Sequence, residues 1–559
     1  MRATGIDARK PNLLLIITDQ QRYPRHWPEE PGWLEQLTPS DTALARTGLS
    51  FTNFTVNSCM CSPSRATLFT GLYPSEHGVT LTLTGAGARP NPRNVPAVIR
   101  AFARMIASGE VPRAKAARAF GRSAARRRAN AGVEPELRPE THNLARMLSE
   151  AGYEVAYKGK WHLTKPLRGE WSAADAERLE REFGFAGWQP PDAGEDIEPE
   201  HFGGGTAGPS GAGWDEDFTR QAESFIAAAR EPFALIVSLV NPHDVLAYPS
   251  SYARGGYSGR EIRELGVQLP VTADEDLSGK PSPHALMKLG QAAYLGPLSS
   301  NRERALYVNF YAHLCSLVDA KIGRLLSALG DPGDPGSLRA RTIVLRTSDH
   351  GEMGLAHGGL RQKMFNAYEE TLRVPLVVSN PLLFPSAATT ATPASLIDLM
   401  PTVATLTGGD PGDHSGTDLT PLLARHAVGD AGAPPEAGVD LTPVLETPPA
   451  ESVRDGAFFF YDDHKAGTAF ENVIPQPNRV RCVRERRWKY AFYFDPGGAV
   501  PTEYELYDLE EDPLEQRNLV DRASGAAGSP RLEDERLRLH EALLAEAGAH
   551  EALPDRIAP

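Results

Sequence analysis

The residues best suited to chemistry in this 559-residue chain sit in one run, Cys61-Ser62-Pro63-Ser64-Arg65-Ala66-Thr67-Leu68-Phe69-Thr70-Gly71. Pro63 falls where the first turn of a helix tolerates proline, because the amide it lacks would have no intrahelical partner. Cys61 is then placed at a helix N-terminus, where unpaired amides and the backbone dipole favour an anion. Arg65, four residues on, returns to the same face, so an anion over Cys61 would meet a dipole and a guanidinium. A lone cysteine is also commonly a buried structural residue, so a functional reading needs partners elsewhere.

Such partners follow short apolar runs. Leu13–Ile17 leads into Asp19-Gln20, and Tyr153–Tyr157 leads into Lys158-Gly159-Lys160-Trp161-His162. Phe233–Val237 precedes Asn241-Pro242-His243-Asp244, and Ile343–Leu345 precedes Ser348-Asp349-His350-Gly351. Runs of this length, rich in Ile and Val, suit strands buried on both faces of a parallel sheet, as does Val374–Val378. Ligands bind beyond the carboxyl ends of such strands, and four clusters of acids, histidines and lysines there are hard to explain as helix caps alone. Lys160 and His162 flank Trp161, so on an extended segment they face one way. Alone, that triplet would also spell a surface lysine beside a packed histidine.

Helical patterns alternate with these strands. Thr141–Ala151 places Leu144, Met147 and Leu148 on one face and stops at Gly152, while 314–329 repeats Leu314, Val318, Ile322, Leu325 and Leu326. The alternation implies an α/β domain. Residues 408–450, rich in Gly, Pro and Asp, read as a linker; they carry an echo, Asp418-Leu419-Thr420-Pro421 and Asp440-Leu441-Thr442-Pro443. Beyond it, runs at 457–461, 480–483, 489–493 and 505–507 suggest a small antiparallel sheet, and 531–548 a final helix. The chain divides into a catalytic α/β domain over 1–450 and a C-terminal α+β subdomain over 451–559.

A net charge of −14 argues against a general nucleic-acid or anionic-membrane partner. The segment Arg100–Arg128 stands apart, with nine basic residues and one acid, Glu110. Within a helical insertion at about 93–130 it reads as a solvated insertion, an oligomer contact, or a lid attracting anionic substrates. Four cysteines without Cys-x-x-Cys spacing exclude a disulfide scaffold and a thiolate zinc site. The N-terminus lacks the basic start and apolar core of a secretory signal, and no run approaches a bilayer span, which predicts a cytoplasmic protein.

The Cys61 run resembles the signature of the type I, formylglycine-dependent sulfatases of the alkaline phosphatase superfamily, Cys-x-Pro-Ser-Arg followed by Thr-Gly. The resemblance continues in order through Pro11–Asp19, Gly159-Lys160-Trp161-His162-Leu163, Ser348-Asp349-His350-Gly351-Glu352 and the ending Leu506-Tyr507-Asp508-Leu509 with Asp512-Pro513 and Asn518-Leu519. It implies a large, mostly parallel mixed sheet sandwiched by helices, plus the small C-terminal antiparallel sheet and helix. It also implies that a formylglycine-generating enzyme oxidises Cys61 to formylglycine (3-oxoalanine).

By the same resemblance, Asp19, Gln20, Asp349 and His350, with the modified Cys61, bind one divalent cation. Oxygen ligands suit Ca²⁺ or Mg²⁺, and the imidazole leaves room for Mn²⁺; Ca²⁺ is the first expectation. Many sulfatases carry Asp-Asp and Asp-Asn where this chain has Asp19-Gln20 and Asp349-His350. Gln20 can coordinate through its carbonyl but removes a negative charge. Arg65 would stabilise the nucleophile with the cation, Lys160 would anchor the aldehyde hydrate and His162 deprotonate it. His243 and Lys363 would contact the sulfate, and His357 stays outside the set.

The implied activity is hydrolysis of a small-molecule sulfate ester, with a homo-oligomer possible. Two alternatives remain: a phosphonate monoester or phosphodiester hydrolase on the same fold, and a non-catalytic binding protein with unmodified Cys61.

Overall fold

The structure, a computed structural model, describes residues 9–84, 134–428, 438–468 and 472–553. The basic insertion expected at about 93–130 lies outside the described residues.

In chain order the strands are β1 (Asn12–Asp19), β2 (Gly48–Phe51), β3 (Phe54–Thr55), β4 (Glu154–Gly159), β5 (Phe233–Pro242), β6 (Thr342–Ser348), β7 (Leu376–Ser379), β8 (Ala388–Thr390) and β9 (Ala394–Ser395), then β10 (Gly456–Tyr461), β11 (Arg479–Glu485), β12 (Trp488–Phe494) and β13 (Glu503–Asp508). A seven-stranded sheet has the order β4-β5-β1-β6-β7-β2-β8. The first four run parallel. The run at 374–378, read as another parallel strand, is β7 and lies antiparallel to β6 and β2.

Every residue of β1 is buried, as expected of a central strand covered on both faces. Leu13, Leu15 and Ile17 enter one core, with the Cys61–Thr70 helix, and Leu14 and Ile16 enter the other. The second core holds the apolar sides of helices Trp214–Ala228 and Asn301–Ala328. Each such buried Leu or Ile contributes about 1.5–3 kcal/mol. The Asn301–Ala328 helix starts well before the 314–329 pattern, with Ser300 and Glu303 forming a reciprocal cap. The 141–151 pattern shortens to Leu144–Glu150, because the Asn143 side chain accepts from the Ala145 and Arg146 amides and sets the start.

The linker reading of 408–450 is overturned. Helices Thr420–His426 and Thr442–Leu445 lie there, and Leu419, Leu422, Leu423, Leu441 and Val444 are buried in the main core. The echoed tetrapeptides are capping devices: Asp418 and Asp440 accept from the Thr420 and Thr442 amides at 2.8 and 3.0 Å, and a proline follows in each first turn.

Strands β10 to β13 form the expected antiparallel sheet. One face, with Phe459, Cys482, Ala491 and Tyr493, joins the main core. The other, with Phe460, Val483 and Phe492, packs on Leu539 and Leu543 of the terminal helix Pro530–Ala549.

Candidate active site

Register assembles the site. Thr18 pairs with Ser348, and after an irregularity Asp19 pairs with Pro242, so Asp19, His243 and Asp349 leave the sheet at one edge. Gly159, paired with Ser238, has φ 113°, and a Cβ there would lie 1.9 Å from the Ser238 carbonyl. Only glycine lets β4 approach so closely before Lys160 turns inward.

The Cys61–Thr70 helix begins at Cys61 and is buried throughout. Ser62 Oγ accepts from the Leu83 amide at 3.1 Å, and Ser64 Oγ donates to the Asp349 carbonyl. Several non-glycine residues with positive φ surround it: Gln20 (69°), Met60 (72°), His162 (57°) and Gln362 (61°). Such conformations cost energy and concentrate where side chains are aimed for function.

The site has a floor and a cavity. In the floor, ligand atoms of Asp19, Cys61, Asp349 and His350 all lie within 4.8 Å of one another, and all four residues are buried. His350 Nδ1 lies 3.2 Å from the Gly351 carbonyl. A carbonyl only accepts, so Nδ1 carries a hydrogen, and Nε2 faces inward. Asp19 Oδ1 and Asp349 Oδ1 each stand 3.6 Å from that Nε2, and Cys61 Sγ stands 3.2 Å away. An imidazole nitrogen, two carboxylates and a sulfur converging within 4.8 Å of one another make a donor set that fits a divalent cation.

Arg65 shares the helix with Cys61 but does not line the cavity. Its Nε donates to Asp349 Oδ2 at 2.9 Å and its NH2 group to Asp19 Oδ2 at 3.3 Å. Its NH1 group donates to the Lys160 carbonyl at 2.9 Å and Ser238 Oγ at 2.7 Å. The expected anion over the guanidinium therefore gives way to two carboxylates, and their charge holds Arg65 protonated against the cost of burial. Lys160 Nζ donates to Asp19 Oδ2. Burial raises the Asp19 pKa, but Lys160, His243, His350 and Arg65 outweigh it and hold the carboxyl well below its usual range. Burial and then Asp19 push Asp349 the other way. Burial and Asp19 also raise the Cys61 thiol, yet Lys160, Lys363 and His350 pull it well below an ordinary thiol.

Gln20 links floor and cavity. Its Oε1 accepts from Lys363 Nζ at 2.8 Å and its Nε2 donates to Glu352 Oε2 at 2.5 Å. Lys363 Nζ is also 3.9 Å from Cys61 Sγ.

A cavity of about 550 Å³ opens above Cys61, lined also by His162, His243 and Lys363. His162 does not follow an extended segment: β4 ends at Gly159, and the Asp192 carboxylate accepts from the Trp161 and His162 amides at 2.7 and 2.6 Å. Trp161 anchors the turn by packing on Phe69 and Phe185. His162 Nε2 lies 2.8 Å from the Leu83 carbonyl, so it carries a hydrogen, and the other side of the ring meets the Cys61 side chain. Burial and Lys160 lower the His162 pKa, but Cys61 and Asp192 raise it on balance. Burial and Lys160 push His243 down to about 3. His357 lies apart, stacked on Tyr368 at 3.6 Å and bonded to Glu275 at 2.7 Å.

Sequence reading missed Asp192 and the role of Glu352. Glu352 stands inside the quoted late motif, whereas no spacing ties Asp192, after Pro190-Pro191, to a histidine thirty residues earlier.

A parallel sheet with acids, imidazoles and lysines beyond its carboxyl edge and a cysteine at a helix start defines a hydrolase of the alkaline-phosphatase-like class. The model of the sulfatase family matches residues 11–105 and 118–409, and the chain belongs to that family, whose members hydrolyse sulfuric esters. It is 26% identical over 562 residues to the uncharacterized sulfatase YidJ of Escherichia coli (strain K12), covering 96% of this chain and 87% of that one. It is 25% identical over 550 residues to the choline-sulfatase of Rhizobium meliloti (strain 1021), covering 92% and 83%. Among solved structures, the phosphonate monoester hydrolase of Agrobacterium radiobacter superposes with a TM-score of 0.61 at 21% identity, over 97% of this chain and 96% of that chain. A 2-O GAG sulfatase superposes with a TM-score of 0.60 at 20% identity, over 97% and 93%. No helix among the described residues is long and apolar enough to cross a membrane.

Proposed function

We propose that this chain hydrolyses a sulfate ester to an alcohol or phenol and inorganic sulfate, with Cys61 oxidised to formylglycine by a formylglycine-generating enzyme and one divalent cation in the floor. The observation that carries this reading is the convergence of His350 Nε2, Asp19 and Asp349 beneath Cys61, with His162 beside it.

Oxidation and hydration at residue 61 supply two hydroxyls on one carbon, and the cation, Ca²⁺ before Mn²⁺ or Mg²⁺, supplies positive charge to the attacking oxygen and the sulfate. Asp19, Asp349 and His350, with the Gln20 oxygen, would hold that cation. Arg65 fixes both carboxylates from below. Lys160 and Lys363 offset charge developing on the sulfate oxygens. His162 Nδ1 takes the proton of the second hydroxyl as sulfate leaves, while its Nε2–H stays on Leu83. His243 is neutral in the empty site, so the arriving anion must charge it before it can protonate the leaving oxygen; Lys363 is the other donor.

The second reading, phosphonate monoester hydrolysis, draws on the likeness to the Agrobacterium radiobacter enzyme. Steady-state rates on paired aryl sulfate and aryl phosphonate esters, with the intact mass of residue 61 measured on the same sample, test both. Formylglycine with a sulfate preference supports the first reading, and a phosphonate preference supports the second. An oxidised residue 61 with neither activity overturns both.

A further inference from the structure

We infer that Asp192 is a positioning residue for the reaction, its carboxylate clamping the backbone turn that holds His162 against Cys61. This rests on the sulfatase reading, in which His162 takes a proton at residue 61, and adds to it a residue that lies outside every motif of the sequence.

Strand β4 ends at Gly159, and three residues on His162 adopts a φ of 57°, a left-handed conformation that costs energy for any residue but glycine. One carboxylate braces that turn. Asp192 Oδ1 accepts from the Trp161 amide at 2.7 Å and Oδ2 from the His162 amide at 2.6 Å. Both oxygens are thus taken up by the backbone, at the short distances expected of a charged acceptor. Asp192 is fully buried and does not line the cavity, so it does not meet the substrate. Any effect it has on the reaction passes through the turn it holds. The loop that carries it is seated firmly. Gly194, at φ 82°, lets the chain press on β5 and on Lys160, since a Cβ there would lie 2.8 Å from Val240 Cγ1 and 3.3 Å from Lys160 Cδ. Burial raises the Asp192 pKa, while His162, the two amides and Lys160 pull it down.

The two residues before His162 have other anchors. The Lys160 amide donates to the Ser238 carbonyl at 3.0 Å, and the Lys160 carbonyl accepts from Arg65 at 2.9 Å and from the Tyr157 hydroxyl. The Trp161 ring packs on Phe69 and Phe185, and its Nε1 donates to Thr164 Oγ1 at 3.0 Å. His162 relies on Asp192 for its backbone and on the Leu83 carbonyl for its ring. Loosening the clamp therefore moves the proton acceptor and leaves the lysine that faces the sulfate in place. The steps up to release of the alcohol should survive, and the later step that needs His162 should slow.

The test is Asp192→Asn, which keeps the shape but turns an NH2 group toward one of the two amides. In oxidised, metal-loaded protein, kcat for 4-nitrophenyl sulfate should fall about 10- to 100-fold, the order of a misplaced general base. The ratio kcat/KM, which reports only the steps up to release of the phenol, should stay near wild type, and the first equivalent of nitrophenol should appear as a burst. A crystal structure of the unoxidised, metal-free variant should show the His162 ring drawn off the Leu83 carbonyl. Gly194→Ala, which pushes the loop off Val240 and leaves the carboxylate itself intact, should give the same kinetic split more weakly. Asp398→Asn is the structural comparator: Asp398 is buried, accepts from the Ser395 and Thr417 amides at 2.8 Å each and does not line the cavity. It should lower the melting temperature without a burst. Equal falls in kcat and kcat/KM, an unchanged kcat, a His162 ring unmoved in the variant crystal, or the same split from Asp398→Asn would overturn the inference and leave the sulfatase reading intact. A wild type oxidised at residue 61 that turns over neither sulfate nor phosphonate esters would instead sink that reading, and the variant crystal would still decide the clamp.

Discussion

Among the described residues, two buried ionic clusters have ligand atoms within 4.8 Å of one another: Asp19, Cys61, Asp349 and His350, and His357, Glu370 and Glu515. They differ in what lies beside them. Around the second, Glu369 receives Arg484 at 2.8 Å and Lys489 at 3.2 Å, and Lys489 also pairs with Glu515. Glu370 receives His26 at 2.9 Å and lies 3.8 Å from Arg25, and Lys280 meets Glu275 at 3.2 Å. Acids there face bases donated by distant segments, including the C-terminal sheet, and none of these groups lines the cavity. In the first cluster a histidine nitrogen faces two carboxylates and the cavity opens directly above. Burial and pairing of charge are therefore common to both; the cavity that opens over Cys61 distinguishes the candidate active site.

Substitutions should separate the clusters sharply. Cys61→Ala should abolish turnover while leaving the melting temperature close to wild type, since the lost volume is one sulfur atom. Turnover above trace in a preparation free of contaminating hydrolase would reject Cys61 as the source of the nucleophile.

Asp349→Asn should weaken cation binding by removing a charge, and chelation should inactivate the wild type, with activity restored by metal add-back. Elemental analysis alongside the assays would identify the ion. A metal-free preparation with full activity would overturn the ligand assignment of the first cluster.

In the second cluster the effect should fall on stability. Glu369→Gln strands Arg484 and Lys489, and breaking a buried pair costs about 3–5 kcal/mol. Denaturant unfolding should show that loss, while kcat of the folded fraction stays near wild type. A kcat loss without destabilisation would show that the second cluster also serves the reaction.

The smallest effect concerns acid. Although burial raises them, Arg484 and Lys489 hold Glu369, and Arg25 and His26 hold Glu370, well below the ordinary carboxylate range. A depressed folded-state pKa adds stability above the unfolded value of about 4.5, lost as pH falls from there toward the folded values. Glu370→Gln should thus flatten the decline in unfolding free energy below about pH 4.5 relative to wild type. An unchanged slope would mean that these acids do not carry the acid sensitivity.

The sequence by itself determined the central strands and the family. Continuous apolar runs at 13–17, 233–237 and 343–345 can only be buried on both faces, which makes them central strands. The polar residues directly after them must then collect at one edge, and the Cys61 run names its own family. Tertiary structure decided what depends on distant partners. That β7 runs antiparallel is invisible in its side chains, because a strand buried on both faces reads the same in either direction. Residues 408–450 look like a linker because glycine, proline and aspartate dominate locally, yet their few leucines find a core built by other segments. Arg65 was legible as a cation but not as the clamp between Asp19 and Asp349. The grip of Asp192 on the His162 amide has no signature at all. A carboxylate acts through space over a few ångströms, and only the folded chain sets which residues lie within that reach.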